Sequence, residues 1–393
     1  EVILFDGVDN DDDLNCIQSL LYSKNASLPI NEIFDPNGDQ NSIVVILESS
    51  GTTGAQKGAM MGHYDIATLI LSSNNPLMKN SNGDEILMGC SPLAHYSGVL
   101  THLTSLLFGA TVVTLRNSTV ETVMDAIERY QVTRTILAST TMNLILKSVK
   151  NVNCNSLRKV FVGGMRVPKG VGEEFLNKFN VKELHNVYTM TEITMMTTLG
   201  ENELNNYHAI GKVCDGMQIK VVNPETEKLL GENELGEIRV KGPFAFKGYY
   251  KKEKLSRELI DDDGFIKTGD IGYFNENETF YIVDRIKDII KHFAFGFSPV
   301  DVEEILITHE AVKEVAVVGI PDTDEGEVPH AFIVLKDDYL KMPIDKQIFI
   351  DFVNSRVMNL KHIQHVHFVK DIPKTNFGKI LRRKIREQYL ATI

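Results

Sequence analysis

Short β-branched runs and longer amphipathic stretches alternate along roughly the first third of the chain. Residues 43–47 (Ile-Val-Val-Ile-Leu) and 111–115 (Thr-Val-Val-Thr-Leu) are continuously or nearly continuously apolar, whereas 63–73 and 119–130 carry apolar residues at helical spacing. Strands of that kind, alternating with helices, predict α/β layering around a buried, mostly parallel sheet. Residues 2–5 (Val-Ile-Leu-Phe), directly behind Glu1, read as one more strand beginning abruptly, not as a signal or transit peptide. The expectation is a chain that begins inside a fold.

The texture changes between residues 209 and 282, where Gly and Pro punctuate short strands at 219–222, 237–240 and 280–283. This predicts a compact β-rich subdomain. Beyond Asp284 the order becomes helix, strand, strand, helix, with 300–308, 315–320, 331–335 and 347–358 as the elements. A boundary is therefore expected between a large domain, 1–284, and a small α+β domain, 285–393. Charge supports it: residues 285–393 hold 16 basic and 16 acidic side chains, so the first 284 carry the whole net charge of −12. Within the second part, 370–386 contains seven basic residues against Asp371 alone, read either as a solvated terminal helix or as a cationic surface for phosphates.

Composition then narrows the function classes. An acidic chain of 393 residues, 43% hydrophobic and 24% charged, is neither a disulfide-stapled miniature nor a basic nucleic-acid binder. Cys16, Cys90, Cys154 and Cys214 form no C-x-x-C pair, which argues against a zinc or disulfide framework and for a reducing compartment. No apolar run approaches the roughly 18 residues of a spanning helix. No internal repeat or low-complexity tract is present.

Chemistry concentrates first in Ser49-Ser50-Gly51-Thr52-Thr53-Gly54-Ala55-Gln56-Lys57-Gly58, directly behind the strand at 43–47. Its amides and hydroxyls suit an anionic oxygen cluster, with Lys57 to neutralise charge. The Walker loop requires Ser or Thr after its lysine, and here Gly58 follows. Taken alone, such a stretch reads equally as a surface turn. Four further signals come in order: Tyr188-Thr189-Met190-Thr191-Glu192, Thr268-Gly269-Asp270, the run from Asp284-Arg285 to Lys287 and Lys291, and Pro373-Lys374-Thr375-Asn376-Phe377-Gly378-Lys379.

Together the five resemble the adenylate-forming superfamily of acyl-CoA synthetases, 4-coumarate:CoA ligases, luciferases and adenylation domains, with a texture like insect luciferase-like acyl-CoA ligases. The opening part of that family's large domain is missing, so a truncated chain is expected. The resemblance implies a two-step reaction: a carboxylate attacks the α-phosphorus of Mg-ATP to give acyl-AMP and pyrophosphate, and CoA then displaces AMP. It assigns Lys57 and Lys379, with Mg2+ on Glu192, to the phosphates. Ser49, Ser50, Gly51, Thr52, Thr53 and Gly54 complete the phosphate loop. Tyr188 stacks on adenine, Thr191 lies near the α-phosphate, Asp270 takes the ribose hydroxyls, and Arg285 lies near ribose and phosphate.

In Ser91-Pro92-Leu93-Ala94-His95-Tyr96, the same resemblance places His95 beside the acyl pocket, which Gly164 and Met165 also line, with Gly163 and Gly164 letting backbone approach the acyl-adenylate. Without it, His95 reads as a satisfied half-buried histidine, and Tyr188 and Met165 as core residues. Lys287 takes the hinge position of a mobile small domain, and Lys291 the second step.

Departures from the family pattern cluster at the nucleotide and thiol sites: Gln56 for proline, Val187 and Thr189 for glycines, and Ala294 for another glycine. Three functions follow as alternatives: a ligase joining a hydrophobic carboxylic acid to CoA, a luciferase-like oxidation of acyl-AMP, and a non-catalytic protein binding nucleotide or acyl ligand. The ending Ala391-Thr392-Ile393 is not an S-K-L type signal, which makes the cytoplasm the expected location and the peroxisome the alternative.

Overall fold

Apolar runs separated by amphipathic stretches have one economical solution, in which each run becomes a strand buried between helices. The computed structural model, which describes residues 2–5, 39, 42–49, 57–71, 84–91, 93, 95–115, 117–148, 152–164, 167, 170–198, 206, 209–243, 245–293, 295–374 and 380–392, has that arrangement in its first part. The chain divides into two compact units, residues 1–219 with 239–267, and residues 220–238 with 268–393.

In the first unit the described elements are β1 (Val2–Phe5), β2 (Ile43–Ser49), β3 (Lys57–Gly62), α1 (His63–Leu71), β4 (Ile86–Gly89), α2 (Tyr96–Phe108), β5 (Thr111–Leu115), α3 (Val120–Tyr130), β6 (Arg134–Ala138), α4 (Ser139–Ser148), β7 (Lys159–Gly163), α5 (Val171–Phe179), β8 (Glu183–Asn186), β9 (Tyr188–Met190), β10 (Ile193–Thr198) and β11 (Ala209–Val213). Six strands form a parallel sheet in the order β1-β5-β4-β6-β7-β8. Helix α3 shows how the sequence enforces the layering. Thr119 caps its first turn by accepting from the Thr122 amide, and Val123, Met124, Ala126 and Ile127 form its buried stripe. That stripe joins Met88, Val113, Leu137, Val160 and Val162 in one core.

The carboxyl ends of β4, β7 and β8 lead into Ser91 and His95, Gly163–Gly164, and Val187 to Glu192. Parallel sheets present ligand sites at that edge. Strands β9, β10 and β11 continue as an antiparallel set.

Residues 43–47 depart from expectation. They are a strand, but β2 pairs antiparallel with β3 in a two-stranded hairpin instead of entering the parallel sheet. Leu47 and Ser49 are buried, whereas Ile43, Val44 and Ile46 stand 41–47% exposed. A continuous apolar run predicts two covered faces, and among the described residues only one face of β2 is covered at its end.

The second unit takes in β12 (Gln218–Val222) and β13 (Gly236–Lys241), which the division between units crosses; α6 (Glu253–Leu259) belongs to the first unit. Then follow β14 (Ile266–Phe274), β15 (Phe280–Arg285), β16 (Ile290–His292), β17 (Phe295–Phe297), α7 (Pro299–Leu306), β18 (Val312–Asp322), β19 (Gly326–Leu335), α8 (Lys346–Asn354), β20 (His365–Phe368) and α9 (Arg382–Leu390). The long antiparallel pair β18–β19 is covered on both faces. Val315, Val317, Ala331 and Ile333 pack with α7 and α8, and the alternate residues Ala316, Val318, Phe332 and Val334 pack with Ile385 of α9. Period-two alternation between two covered faces is what makes these strands apolar at consecutive positions over 315–318 and 331–335.

At the amino edge of the parallel sheet, Arg134 opens β6 and donates to Glu85 just before β4, at 2.8 Å. Their side chains are only 2% and 8% exposed. Burial pulls the guanidinium below its ordinary value and Glu85 opposes that shift. No described helix is long and apolar enough to cross a membrane. Arg134→Met leaves Glu85 as an uncompensated buried charge and is expected to cost about 3–5 kcal/mol in urea unfolding. A loss below about 1 kcal/mol would mean that the pair holds nothing together.

Candidate functional site

In the first unit three separate stretches converge on one carboxylate. Glu192, 4% exposed, sits in the turn between β9 and β10. Its Oε1 accepts from the Ser49 hydroxyl at 2.6 Å and from the Tyr249 hydroxyl at 2.5 Å. Ser49 is the last residue of β2 and Lys57 the first of β3, and the two are register partners. The hairpin thus closes the glycine- and threonine-rich stretch at its base, and the Lys57 ammonium lies 5.1 Å from the centroid of the Tyr249 ring.

Tyr249 is held by backbone as well as by its ring. The Tyr250 amide donates to Gly58, the Met60 amide to Gly248, the Lys247 amide to Met60 and the Phe246 amide to the Glu192 carbonyl, at 2.7–3.0 Å. Residues 246–250 therefore lie alongside β3. Burial, then the Glu192 charge beside it, pushes the Tyr249 phenol far above its ordinary value, so it remains a donor. Tyr249 was not singled out from sequence. Its signal is Gly248-Tyr249-Tyr250, an ordinary pattern whose meaning is tertiary.

The other residues of this unit stand as follows. Tyr188, half-buried, opens β9 opposite Thr197, and Thr191 is half-buried beside Glu192. His95 is the N-cap of α2, where its Nδ1 accepts from the Ser97 amide at 3.3 Å. The Ser97 hydroxyl lies 2.7 Å from the same nitrogen and 2.7 Å from the Ser91 hydroxyl. Burial lowers the His95 pKa, which keeps the ring neutral around pH 7. Gly163 ends β7, and Gly164 follows with φ +85°. Ser50, Gly51, Thr52, Thr53, Gly54, Gln56, Met165, Ala294 and Lys379 lie outside the described residues.

A second cluster belongs to the other unit. Asp270 and Arg285 are register partners on β14 and β15, and the Arg285 Nε lies 2.5 Å from Asp270 Oδ1. Gly269, at φ +69° within β14, directly precedes Asp270, and its carbonyl accepts from the Ile286 amide. The Thr268 hydroxyl donates to Ile238, and the Thr268 carbonyl accepts from Arg285. Lys287 is exposed. Lys291, in β16, is paired by its amide with Glu327 at 3.0 Å and by its ammonium with Glu225 at 3.5 Å.

Beside Arg285, Asp284 accepts from the Arg285 amide and from the Ser298 hydroxyl that also caps α7. Burial pushes its carboxyl up to about 6, against the pull of Arg382, Ser298 and the Arg285 amide, with Asp288 adding to the rise.

The basic run at 370–386 enters a terminal helix, α9, of which only Arg382 and Ile385 are buried, in keeping with the solvated-helix reading over that part. Lys374 pairs with Glu314, Arg386 with Glu327 and Arg383 with Glu387, at 2.7–2.8 Å, while Arg382 is 8% exposed and bound to Glu303. Four of its seven cations are thus paired, and Lys370 and Lys384 stand exposed.

Magnesium asks for one or two carboxylates completed by phosphate oxygens and water. Glu192 fits that demand, because both described donors act on Oε1 and Oε2 is left to face a cation. No group of three metal-ligating side chains occurs among the described residues.

The family pattern described as AMP-binding enzyme matches residues 5–250, and that of the AMP-binding enzyme C-terminal domain matches 301–379. This chain belongs to the AMP-binding enzyme family, the adenylate-forming enzymes. It is 35% identical to 4-coumarate–CoA ligase-like 9 of Arabidopsis thaliana over 357 residues, 90% of this chain and 63% of that protein. It is 34% identical to luciferin 4-monooxygenase of Nipponoluciola cruciata over 353 residues, 88% of this chain and 64% of that one. The chain thus spans less than two thirds of the length of either relative. Among solved structures, O-succinylbenzoate coenzyme A synthetase (MenE) from Bacillus subtilis, in complex with ATP and magnesium ion, superimposes with a TM-score of 0.77 and 27% identity, over 88% of this chain and 70% of that one.

Two outcomes test the geometry. Tyr249→Phe removes one of the two donors to a buried carboxylate and is expected to lower stability by about 1–3 kcal/mol; an unchanged urea midpoint would show that Ser49 alone satisfies Glu192. Asp284 has a folded pKa raised from 3.8 to about 6. Its contribution is therefore fully present below about pH 4 and lost as pH rises through 6. Asp284→Asn removes that loss, so its stability relative to the parent should climb by up to about 3 kcal/mol between pH 4 and 7. Parallel pH profiles for the two proteins would contradict this.

Proposed function

We propose that the protein is an ATP-dependent acid:CoA ligase acting on a hydrophobic carboxylic acid, with 1–284 as its large domain and 285–393 as its small one. The observation that carries the reading is the buried Glu192 carboxylate, braced by Ser49 and Tyr249 at the closed base of the hairpin that ends in Lys57. A loop rich in amide and hydroxyl donors, a fixed carboxylate and a lysine together suit a polyphosphate bound with a cation.

In the first step a carboxylate oxygen attacks the α-phosphorus, the bridging P–O bond breaks, and pyrophosphate departs. Lys57, Lys379 and the loop from Ser49 to Gly54 offset the charge of two anions brought together. Magnesium held through Glu192 supplies further charge neutralisation when bound. Thr191 donates to the α-phosphate, Tyr188 stacks on adenine, and Asp270, oriented by Arg285, accepts from the ribose hydroxyls. His95, Gly163, Gly164 and Met165 border the acyl group. A neutral His95 fits such a pocket, since it adds no charge beside an apolar chain.

In the second step the CoA sulfur attacks the acyl carbon and AMP leaves with the bonding pair. Lys291 serves this step, and Lys287 is the hinge through which the small domain changes role. The luciferin 4-monooxygenase relationship keeps oxidation of acyl-AMP as the competing fate of the intermediate.

Pyrophosphate release from ATP across medium-chain, long-chain and aryl acids, with and without CoA, tests the proposal. Lys379→Ala should reduce acyl-AMP formation by about 100-fold or more while sparing thioester formation from supplied acyl-AMP. Lys291→Ala should show the opposite split. Equal losses in both steps for either variant would refute the division of labour, and acid-independent pyrophosphate release would refute acid activation.

A further inference from the structure

The chain that carries Lys379 is fastened on its far side by an arginine the proposed reaction does not use. Among the described residues, Lys374 and Ile380 form an isolated antiparallel bridge, and the Leu381 amide donates to the Pro373 carbonyl at 2.9 Å. The ends flanking residues 375–379 are thus drawn together. Immediately beyond this neck, Arg382 opens α9. Its Nη2 donates to both oxygens of Glu303 on α7, at 2.9 and 2.7 Å, and its Nη1 lies 3.7 Å from Asp288 Oδ2. Its Nε is buried with no partner among the described residues.

Glu303 is itself fixed, because its Oε1 also accepts from the Val317 amide of β18 at 2.7 Å. Asp288 closes the turn that begins at Arg285, through its amide to the Arg285 carbonyl. Asp284, one strand residue earlier, is latched to Ser298 at the head of α7. One guanidinium therefore joins three elements: the helix behind Lys379, the central helix of the small lobe, and the turn containing Lys287.

We infer that Arg382 is a positioning residue for acid activation, fixing the neck of Lys374 and Ile380, between which Lys379 falls in sequence, against α7 and the turn around Lys287. The inference rests on the proposed role of Lys379. A buried fork that satisfies one carboxylate with two bonds and reaches a second sets orientation as well as distance, which a single ammonium does not. Burial opposes its charge, but Glu303, Asp284 and Asp288 more than restore it, so Arg382 stays cationic throughout the working range.

The test compares both half-reactions in the protein carrying Arg382→Met, Arg382→Lys, Glu303→Gln, Lys379→Ala and the Lys379→Ala/Arg382→Met pair. Misplacement of a reacting group by about 1 Å costs on the order of 100-fold. Arg382→Met should accordingly lower kcat for acyl-AMP formation by about 10- to 100-fold, with KM for ATP and acid within about 3-fold and thioester formation from supplied acyl-AMP nearly unchanged. Arg382→Lys should recover part of the loss. The double variant should be no slower than Lys379→Ala alone, because an arginine acting through Lys379 has nothing left to position.

Equal loss in both half-reactions, or a further roughly tenfold loss in the double variant, would overturn the inference. Should Arg382→Met fail to fold, Glu303→Gln, which keeps the arginine and removes only the charge-assisted pair, must show the same split. If Lys379→Ala retains full acyl-AMP formation, the proposed role of Lys379 fails. If Lys379→Ala is inactive and Arg382→Met is not slowed, only the positioning role fails.

Discussion

A carboxylate 4% exposed needs hydrogen-bond donors to offset its burial, and at Glu192 that requirement draws Ser49 and Tyr249 to one oxygen. Taking an ion of this kind out of water costs several kcal/mol. Two hydrogen bonds to a charged acceptor return about 1.5–3 kcal/mol each. Neither Ser49 nor Tyr249 alone offsets the burial, so the end of β2 and residues 246–250 must both reach the turn after β9. Once they do, Lys57 has little choice of place: it is the register partner of Ser49, and its ammonium lies over the ring of the tyrosine that satisfies Glu192. The glycine-rich stretch is thereby closed at its base on a braced acid, with a lysine at its other end.

Asp270 and Glu303 of the second unit solve the same problem by different means. Like Glu85 beside Arg134 in the first unit, they meet guanidinium groups: Asp270 meets Arg285, and Glu303 meets Arg382. Hydroxyl donors hold an anion while leaving its charge intact for a cation to use, whereas a guanidinium cancels that charge and fixes geometry. The contrast matches the uses proposed for them. Glu192 has a cation to hold, Asp270 needs only to accept from neutral hydroxyls, and Glu303 touches no substrate in the proposed reaction.

What could be read from sequence follows from where each signal resides. The strand at 111–115 and the pair β18–β19 were legible because covered faces impose apolar periodicity on consecutive residues, whereas the strands at 86–89, 134–138 and 183–186 were not singled out. The placement of 43–47 was not, since an apolar run does not say which strand will pair with it. Glu192, Asp270 and Arg285 stood out through the order of short motifs. Tyr249, Ser298 and Glu303 did not, because their partners lie between 14 and 79 residues away and no local pattern marks such a distance. Arg382 was hidden in plain view: a run of basic residues predicts a hydrated face, and four carboxylates elsewhere in the unit convert most of that run into ion pairs.

The family resemblance leads one to expect glycines at Val187 and Thr189, and the two departures are not equivalent. Val187 follows β8 and donates its amide to Val162 on β7 at 2.8 Å. A Cβ placed on Gly163 would come within 3.1 Å of Val187 Cγ2 and 3.3 Å of its carbonyl oxygen. The valine side chain therefore occupies room that exists because the neighbouring strand ends in glycine. A side chain at Gly163 would have to push Val187 aside by a few tenths of an ångström, so the two positions are coupled by packing quite apart from any approach of ligand to backbone. Thr189 has no such neighbour to account for it; it lies half-buried in β9 between Tyr188 and Met190. Because successive side chains of a strand face opposite sides, Thr189 leaves β9 on the face away from the Tyr188 ring, so in the proposed reading a base stacked on Tyr188 meets that ring and not the threonine.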